Sequence, residues 1–334
     1  MSNRNTRVQA NVCAVICTHN RTDLLCRALK SLRGQSVSPA EILVVDNAPY
    51  DSQTRSLVAE KFPDVRYVCE PRPGLNFARN RALNETTQDI VAYMDDDAVA
   101  DVDWICRTES VFNENLRAAI CTGRVKAYSL DTEAQRLFEA QGGFDRGATR
   151  IHMPHDAKRI RMHGLKAPLI AWSIAVGVGA CMAVRRSALS MIGNFDQALD
   201  LGTALPGGGD VDVIWRSLDA GFEVVYEPRA IVLHEHRRDL EGVYAQILGH
   251  RRAEIAFLTK SLRSAQGSTW LTIFAFMSWR LLKPGIRLMR RLVSRSEPLA
   301  PAFLWRLWGA SWRGLVSYDQ ASRLAADRAA STVI

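Results

Sequence analysis

Three consecutive aspartates, Asp95, Asp96 and Asp97, directly follow the short apolar run 90–94. The run predicts a buried strand, and burying three unpaired carboxylates would be very costly. They are therefore expected where the strand emerges, either as a solvated acidic turn or around a metal ion. Open α/β sheets bind ligands at the carboxyl ends of their strands. Carboxylates placed there suit Mg²⁺ or Mn²⁺, the usual partners of a diphosphate.

Two earlier apolar runs also end in polar side chains, at Thr18 and Asp46. Leucines at helical spacing follow the first, which predicts a helix that Thr22 caps and Gly34 ends. The predicted strands are 12–17, 42–45, 65–68 and 90–94, and the predicted helices are 22–34, 52–61 and 77–83. This alternation predicts an α/β protein with a mostly parallel, doubly wound sheet and helices on both faces. The ends at Thr18, Asp46 and Asp95 would then line one edge of the sheet and form one cleft.

The second half of the chain is less regular. Its predicted elements are a strand at 120–127, helices at 132–141 and 210–220, strands at 222–226 and 230–233, and a helical tail from 240 onwards. Residues 142–166 are polar and basic, and a loop of that length is usually functional or mobile. Gly177 and Gly179 interrupt an apolar run, which suggests backbone lying close to a ligand.

Composition limits the class of protein. The chain has 334 residues, 47% of them hydrophobic and 23% charged, so one large domain with appendages can form a packed core. Its net charge of +8 suggests an anionic partner, although no nucleic-acid-binding module is recognisable. Seven cysteines without a CxxC pair indicate reduced core thiols of a cytosolic protein. No signal peptide, membrane span or Walker loop is predicted.

Several short motifs occur in one order along residues 10–240. They are Thr18-His19-Asn20-Arg21, Asp46, Ala78-Arg79-Asn80, Asp95-Asp96-Asp97, Ala183-Val184-Arg185-Arg186, Gly209-Asp210-Val211-Asp212 and His234. With this set the chain resembles a family 2 glycosyltransferase of the nucleotide-sugar-binding fold called GT-A. The resemblance implies an inverting enzyme that uses a nucleotide-sugar donor and Mg²⁺ or Mn²⁺. The Gln-x-x-Arg-Trp motif of processive members is absent, which implies one sugar per acceptor.

The resemblance also implies roles for individual residues. The residues expected to bind the nucleotide are Thr18, Asn20, Arg21, Asp46, Arg79, Asp95 and Asp96. Within this set Asp46 would accept a hydrogen bond from the base, and Asp95 would face the ribose. Asp97 and His234 would hold the metal. An ordinary turn hydroxyl is the alternative for Thr18, and a helix-face arginine bound only to water is the alternative for Arg79.

Asp210 is the expected catalytic base, because an inverting transfer needs a carboxylate to take the proton of the acceptor hydroxyl. It follows three glycines that can let an acceptor approach closely. At the start of a predicted helix an aspartate would also serve as N-cap. Similar enzymes usually have Glu-Asp here, so with Gly209 the role of the glutamate is missing or supplied elsewhere. Asp212 and Arg216 form an i,i+4 pair that would support the helix.

Residues 1–240 are predicted to form the GT-A domain and residues 241–334 a helical C-terminal extension. The extension has a tryptophan-rich apolar stretch at 270–282, followed by Lys283, Arg287, Arg290, Arg291 and Arg295. Amphipathic, basic helices suit an anionic membrane surface, where a glycan or lipid-linked acceptor would be reached. The alternative is a helix packed on the catalytic domain or on a second subunit. The expected location is the cytoplasm, with peripheral attachment to the inner membrane face under the membrane alternative.

Two other functions compete with glycosyl transfer. A sugar-phosphate nucleotidyltransferase would need a glycine-rich basic loop after the first strand, where this chain has residues 18–21, Thr-His-Asn-Arg. The third function is that of a non-catalytic nucleotide-sugar-binding protein, which stays an alternative because Gly209 replaces the usual glutamate. Release of free nucleoside diphosphate would indicate a glycosyltransferase, release of pyrophosphate the nucleotidyltransferase, and binding without turnover the third function.

Overall fold

The computed structural model describes residues 9–156, 161–162, 165–294 and 299–331. The strands are β1 (Gln9–Thr18), β2 (Ser38–Asn47), β3 (Arg66–Glu70), β4 (Ile90–Asp95), β5 (Ala98–Ala100), β6 (Ala118–Ala127), β7 (Ile151–Met153), β8 (Arg161–Met162), β9 (Leu165–Lys166), β10 (Cys181–Arg185) and β11 (Glu223–His234). The helices are α1 (Thr22–Arg33), α2 (Gln53–Lys61), α3 (Leu75–Glu85), α4 (Trp104–Glu114), α5 (Glu133–Ala140), α6 (Leu169–Val176), α7 (Arg186–Ile192), α8 (Gly209–Asp219), α9 (Leu240–Ser264), α10 (Gly267–Val293) and α11 (Pro301–Ala330).

A nine-stranded sheet forms the centre of the part of the chain that the structure describes. The strand order is β3-β2-β1-β4-β10-β6-β11-β5, and β7 pairs with β11. Strands β1 to β4, β6 and β11 run in one direction, whereas β5, β7 and β10 run in the other. The predicted α/β fold with a mostly parallel sheet is confirmed.

The register of the parallel strands brings the polar strand ends together. Thr18 of β1 pairs with Asp46 of β2, and Cys17 of β1 pairs with Asp95 of β4. Because these three strands are neighbours with the same direction, their carboxyl ends lie at the same edge of the sheet. Asp46, Thr18 and Asp95 therefore follow one another across that edge, as the sequence predicted.

Two apolar cores hold the sheet between layers of helices. Successive side chains of a strand point to opposite faces, so Val15 of β1 enters one core and Ile16 enters the other. The first core includes side chains of α3, α6 and α8, such as Ala78 and Val213. The second includes side chains of α1, α2 and α4, such as Leu25. This two-sided burial explains why the central strands read as continuous apolar runs.

The C-terminal helices extend the first core. Phe257 of α9 and Ile273 and Phe276 of α10 belong to the same apolar cluster as Val15, so one side of α10 packs against the core of the sheet. The opposite side is exposed at Trp270, Leu271, Phe274, Trp279, Leu282, Ile286, Met289, Leu292 and Val293. Within the described residues, no helix has both the length and the hydropathy to cross a bilayer. Arg295 of the predicted basic run lies outside the described residues.

Three local expectations were wrong or incomplete. Thr22 is the first residue of α1, and Arg21 occupies the cap position without a capping hydrogen bond from its side chain. The two strands expected at 222–226 and 230–233 form the single strand β11, whose register breaks between Glu227 and Ile231. Pro228, which has no N–H to donate, lies in that break. The expected loop 142–166 contains the short strands β7 to β9, and its residues 157–160 and 163–164 lie outside the described residues.

Candidate active site

Asp95, Asp97 and His234 form a compact cluster at the ends of β4 and β11. One possible ligand atom from each residue lies within 4.8 Å of the other two. His234 Nε2 is 3.1 Å from Asp97 Oδ1 and 3.8 Å from Asp95 Oδ2. Two carboxylates and an imidazole, gathered from two strands that are distant in sequence, are a donor set that can hold a divalent cation.

The electrostatics of this cluster also fit a cation. Asp97 Oδ1 is buried, which opposes its charge, but His234 Nε2 lies 3.1 Å away and lowers the pKa of Asp97. Burial, together with the negative charge of Asp97, raises the pKa of Asp95. A raised carboxyl pKa means that negative charge there lacks enough compensating positive charge. A divalent cation would supply the missing positive charge at Asp95.

A chain of three side chains sets the orientation of His234. Glu139 Oε1 is 2.7 Å from His236 Nε2, and His236 Nδ1 is 3.3 Å from His234 Nδ1. Burial lowers the pKa of His236, and a neutral His236 that donates to Glu139 accepts from His234 Nδ1–H through its other nitrogen. His234 then presents Nε2 to Asp95 and Asp97. Such a partner behind the imidazole is typical of histidines that bind metals.

The middle aspartate of the triplet points away from this cluster. Asp96 is 5% exposed, its Oδ2 accepts from the Thr18 hydroxyl at 2.7 Å, and its Oδ1 accepts from Arg21 at 3.1 Å. Arg21 also contacts Asp97 Oδ2 at 3.2 Å. Thr18 and Arg21 therefore hold the acidic turn in place through Asp96. The Thr18 hydroxyl thus bonds a side chain of another strand end and not only its own turn.

Asp46, at the end of β2, is fully buried. Its Oδ2 accepts from the Tyr67 hydroxyl at 2.9 Å, whereas its Oδ1 has no hydrogen-bond partner among the described residues. Asn20 has a left-handed backbone with φ of 55° and accepts from the Tyr50 N–H at 3.0 Å. This contact ties the loop after β1 to the loop after β2, next to the unused acceptor of Asp46.

Asp210 is the second residue of α8 and does not cap it. Gly208 occupies the cap position in a left-handed conformation, so the capping alternative was wrong. Asp210 Oδ2 accepts from the Gly179 N–H and Oδ1 accepts from the Val211 N–H, both at 2.8 Å. Burial and the nearby Asp200 carboxylate raise the pKa of Asp210. A carboxylate with raised proton affinity is a better general base near neutral pH.

Arg79 lies within electrostatic range of both Asp95 and Asp210. It is 3% exposed, and its Nη1 donates to Asp200 Oδ2 at 2.7 Å, so the alternative of an arginine bound only to water was wrong. Burial opposes its charge, but Asp200, Asp95 and Asp210 together raise its pKa. A Cβ at Gly179 would lie 2.6 Å from Arg79 Nη2. Gly179 was expected to lie close to a ligand, but its close neighbour in the structure is the Arg79 side chain.

A second histidine group lies at the other end of β11. Ligand atoms of His152, His155 and Glu223 lie within 4.8 Å of one another. Asn115 Nδ2 already contacts both His152 Nε2, at 2.9 Å, and Glu223 Oε2. An amide thus takes the central position, and the group is a hydrogen-bonded network with its polar atoms satisfied.

Comparison with known proteins decides the family. The family model described as glycosyl transferase family 2 matches residues 13–193, which is more than half of the chain. The chain belongs to glycosyltransferase family 2. That match contains β1 to β4, the acidic triplet and Arg79, whereas Asp210 and His234 lie beyond its end.

Named relatives support the family. Pre-mycofactocin glycosyltransferase of Mycobacterium tuberculosis is 28% identical over 286 residues, covering 84% of this chain and 54% of that protein. The chain therefore spans about half the length of that relative. The succinoglycan biosynthesis protein ExoM of Rhizobium meliloti is 27% identical over 263 residues, covering 75% of this chain and 72% of that protein.

A solved structure supports the fold. The mannosyltransferase PcManGT of Pyrobaculum calidifontis, in complex with GDP-Man and Mn²⁺, has a TM-score of 0.55 and 17% sequence identity. The similarity covers 97% of this chain and 86% of that one. The predicted GT-A fold with a helical C-terminal region is confirmed.

Three residues of this family 2 glycosyltransferase interact electrostatically with Asp210 but were not predicted from the sequence. They are Arg146, Asp200 and His250. Arg146 follows α5 and donates to the carbonyl oxygens of Gly142 and Gly143 at 3.0 and 3.2 Å. None belongs to a motif, and they come from three separate segments. An acidic residue between Leu199 and Leu201 was the one available signal for Asp200.

Proposed function

We propose that the protein is an inverting glycosyltransferase that moves a sugar from a nucleotide-sugar donor to an acceptor hydroxyl. The observation that carries this proposal is the arrangement of two acidic sites around one buried arginine. Asp95 and Asp97 lie at the end of β4, and Asp210 lies on α8. The charges of Asp95 and Asp210 both act on Arg79. Inversion requires attack from the face opposite the leaving group, so the base must stand on a segment apart from the diphosphate site.

The chain's own residues would divide the reaction between them. Asp46 would accept a hydrogen bond from the base through its unused Oδ1. Asp210 would take the proton of the acceptor hydroxyl. In the same step the acceptor oxygen would bond to the anomeric carbon, and the bond between that carbon and the diphosphate oxygen would break. Asp95, Asp97 and His234 would hold a divalent metal, which when bound neutralises charge on the leaving diphosphate. The mixed oxygen and nitrogen donor set favours Mn²⁺ over Mg²⁺.

The comparisons support the substrate class at a coarse level. The neighbour of similar fold binds GDP-Man and Mn²⁺, and ExoM is named for polysaccharide biosynthesis. A nucleotide-sugar donor and a glycan or lipid-linked acceptor are therefore proposed for this chain. Asp210 and His234 are proposed as base and metal ligand from their contacts in this structure.

Donor turnover gives the direct test. The purified chain is incubated with UDP-, GDP- and dTDP-sugars with and without Mn²⁺, and free nucleoside diphosphate is measured. We expect release with at least one donor, dependent on metal, and loss of release in Asp97→Asn. Asp23→Asn is the matched control, because Asp23 is an exposed aspartate on α1 and should change nothing.

The other candidate functions predict different products. Formation of pyrophosphate from a sugar phosphate and a nucleoside triphosphate would replace the proposal by a nucleotidyltransferase. Calorimetric binding of a nucleotide sugar without any release, in the presence of extracts rich in acceptor, would replace it by a binding protein.

We also propose that α10 and α11 attach the protein to an anionic membrane surface. The exposed apolar residues of α10 include Leu282, Met289 and Leu292, and those of α11 include Trp305 and Trp312. Exposed Arg290, Arg306 and Arg313 lie among them. Apolar side chains set among arginines match the interface of a bilayer that contains anionic lipids. Attachment there would bring the active site to a lipid-linked acceptor.

The membrane test changes the exposed side and leaves the packed side intact. Leu282→Gln, Met289→Gln and Leu292→Gln are combined, because removing α10 altogether would also delete the buried Ile273 and Phe276 and expose the core that they cover. We expect binding to vesicles with phosphatidylglycerol to fall at least tenfold while the melting temperature is kept. Leu116→Gln, at an 81% exposed residue before β6, is the control. Equal vesicle binding by the triple variant and the wild type would exclude this surface.

A further inference from the structure

Asp200 has an unusual conformation in the loop before α8. Its φ is +80°, in the left-handed region that few residues other than glycine, asparagine and aspartate adopt. The residue is 8% exposed, its Oδ2 accepts from Arg79 at 2.7 Å, and its Oδ1 lies 3.3 Å from the Leu201 N–H. A buried charge held in a costly backbone conformation indicates that its position matters.

The carboxylate of Asp200 fills the space beside Gly209. A Cβ built on Gly209 would lie 2.6 Å from Asp200 Oδ2 and would collide with Asn76 Nδ2. Gly209 has no left-handed backbone that would demand glycine, so the neighbouring side chains alone exclude a larger residue. An acidic side chain at residue 209 would meet the Asp200 carboxylate here.

The charges that face Asp210 come from four segments. Asp200 raises its proton affinity and Arg79 of α3 lowers it. Arg146 from the loop after α5 and His250 from α9 also lie within electrostatic range of Asp210. Two carboxylates thus share the buried guanidinium of Arg79.

We propose that Asp200 is a positioning residue that takes the place of an acidic side chain at residue 209, engaging Arg79 and keeping a second negative charge beside the Asp210 carboxylate. Without Asp200, the positive charge of Arg79 would act mainly on Asp210 and lower its proton affinity, which would make Asp210 a weaker base. The proposal rests on the assignment of Asp210 as base under the proposed function. Its electrostatic part can be measured without any turnover.

The test is the titration of Asp210 in Asp200→Asn. Asparagine keeps the shape of the side chain and tolerates the left-handed backbone, and Asp200→Gly serves as a second variant with the same freedom. Carboxyl carbons are followed by ¹³C NMR against pH, with the Asp210 signal assigned by its loss in Asp210→Asn. Asp196→Asn is the matched control, because Asp196 is a largely buried aspartate of the same loop that pairs with Lys260 at 2.6 Å.

We expect the Asp210 midpoint to fall by about one pH unit or more in Asp200→Asn, since a like charge is lost and Arg79 is released. The acidic limb of kcat should move by the same amount while KM for the donor stays unchanged. Asp196→Asn should lower the melting temperature and move neither. An unchanged Asp210 midpoint in both variants of Asp200 would overturn the proposal even if the protein transfers sugar. A lowered midpoint in a chain that turns over no donor would uphold it and reject the proposed function.

Discussion

Replacing Asp210 by asparagine removes one proton acceptor and leaves the shape of the side chain almost unchanged. In the structure both carboxylate oxygens accept backbone N–H groups, from Gly179 and Val211. An asparagine can satisfy only one of these donors and turns its NH₂ toward the other. A buried donor left unsatisfied costs about 1–3 kcal/mol of folding stability. Removal of the like charge beside Asp200 offsets part of that cost.

The catalytic effect of Asp210→Asn should be larger than its effect on stability. General-base assistance is worth about 10²–10⁴-fold in rate, which corresponds to about 2.7–5.5 kcal/mol of barrier at about 1.36 kcal/mol per factor of ten. Because the proposed donor site is built by Asp46, Asp95 and Asp97, at the ends of β2 and β4 and away from α8, donor binding should stay within about threefold of wild type.

The assay compares kcat and KM for donor turnover in Asp210→Asn and in Asp219→Asn. Asp219 is the exposed last residue of the same helix, so its substitution controls for charge on α8. Melting temperatures show whether either variant is less stable. A kcat within tenfold of wild type in folded Asp210→Asn would refute the assignment of the base and direct the search to Asp212 or to the loop before α8.

Three further outcomes are expected. Ile273→Ala should cost about 2–5 kcal/mol of stability, measured by urea unfolding, because the fully buried side chain joins α10 to the core; a cost under about 1 kcal/mol would mean that α10 is dispensable. Burial opposes ionisation of Asp196, but Lys260 and hydrogen bonds outweigh it and lower the pKa of Asp196. A lowered pKa stabilises the fold above the unfolded value near 4 and is lost as pH falls through the folded value. The stability gap between wild type and Asp196→Asn should therefore shrink as the pH falls below about 4, and a gap that does not change with pH would contradict the ion pair. Gly179→Ala should displace Arg79, whose Nη2 would lie 2.6 Å from the new Cβ, and should lower kcat at least tenfold; unchanged kinetics would mean that Arg79 moves without consequence.

The alternation of apolar runs and helical spacing was enough to predict the first half of the fold. Strands in a parallel sheet are buried on both faces and read as short apolar runs, so β1 to β4 could be located without tertiary information. Their carboxyl ends must share one edge, which is why Thr18, Asp46 and Asp95 could be grouped correctly. The family model matches the same part of the chain, residues 13–193.

The register of β11 and the caps of the helices were not predictable to the residue. Thr22 has the chemistry of a cap but became the first helical residue, because local capping preferences are weaker than the tertiary contacts that fix where the chain turns. The break in β11 joined two predicted strands into one. The two-sided nature of α10 also depended on packing, since its sequence is apolar on both the packed and the exposed sides.

The sequence by itself singled out the residues that could do chemistry: the acidic triplet by its place at the end of a predicted strand, and Asp210 and His234 by the resemblance to the family. Only the tertiary structure decided which charges act on one another. Arg79, Asp200 and Asp210 come from three segments, and Asp200 meets Gly209 because the loop before α8 folds back over it. Electrostatic interaction depends on distance in space and on burial, and neither quantity is written in the spacing of residues along the chain.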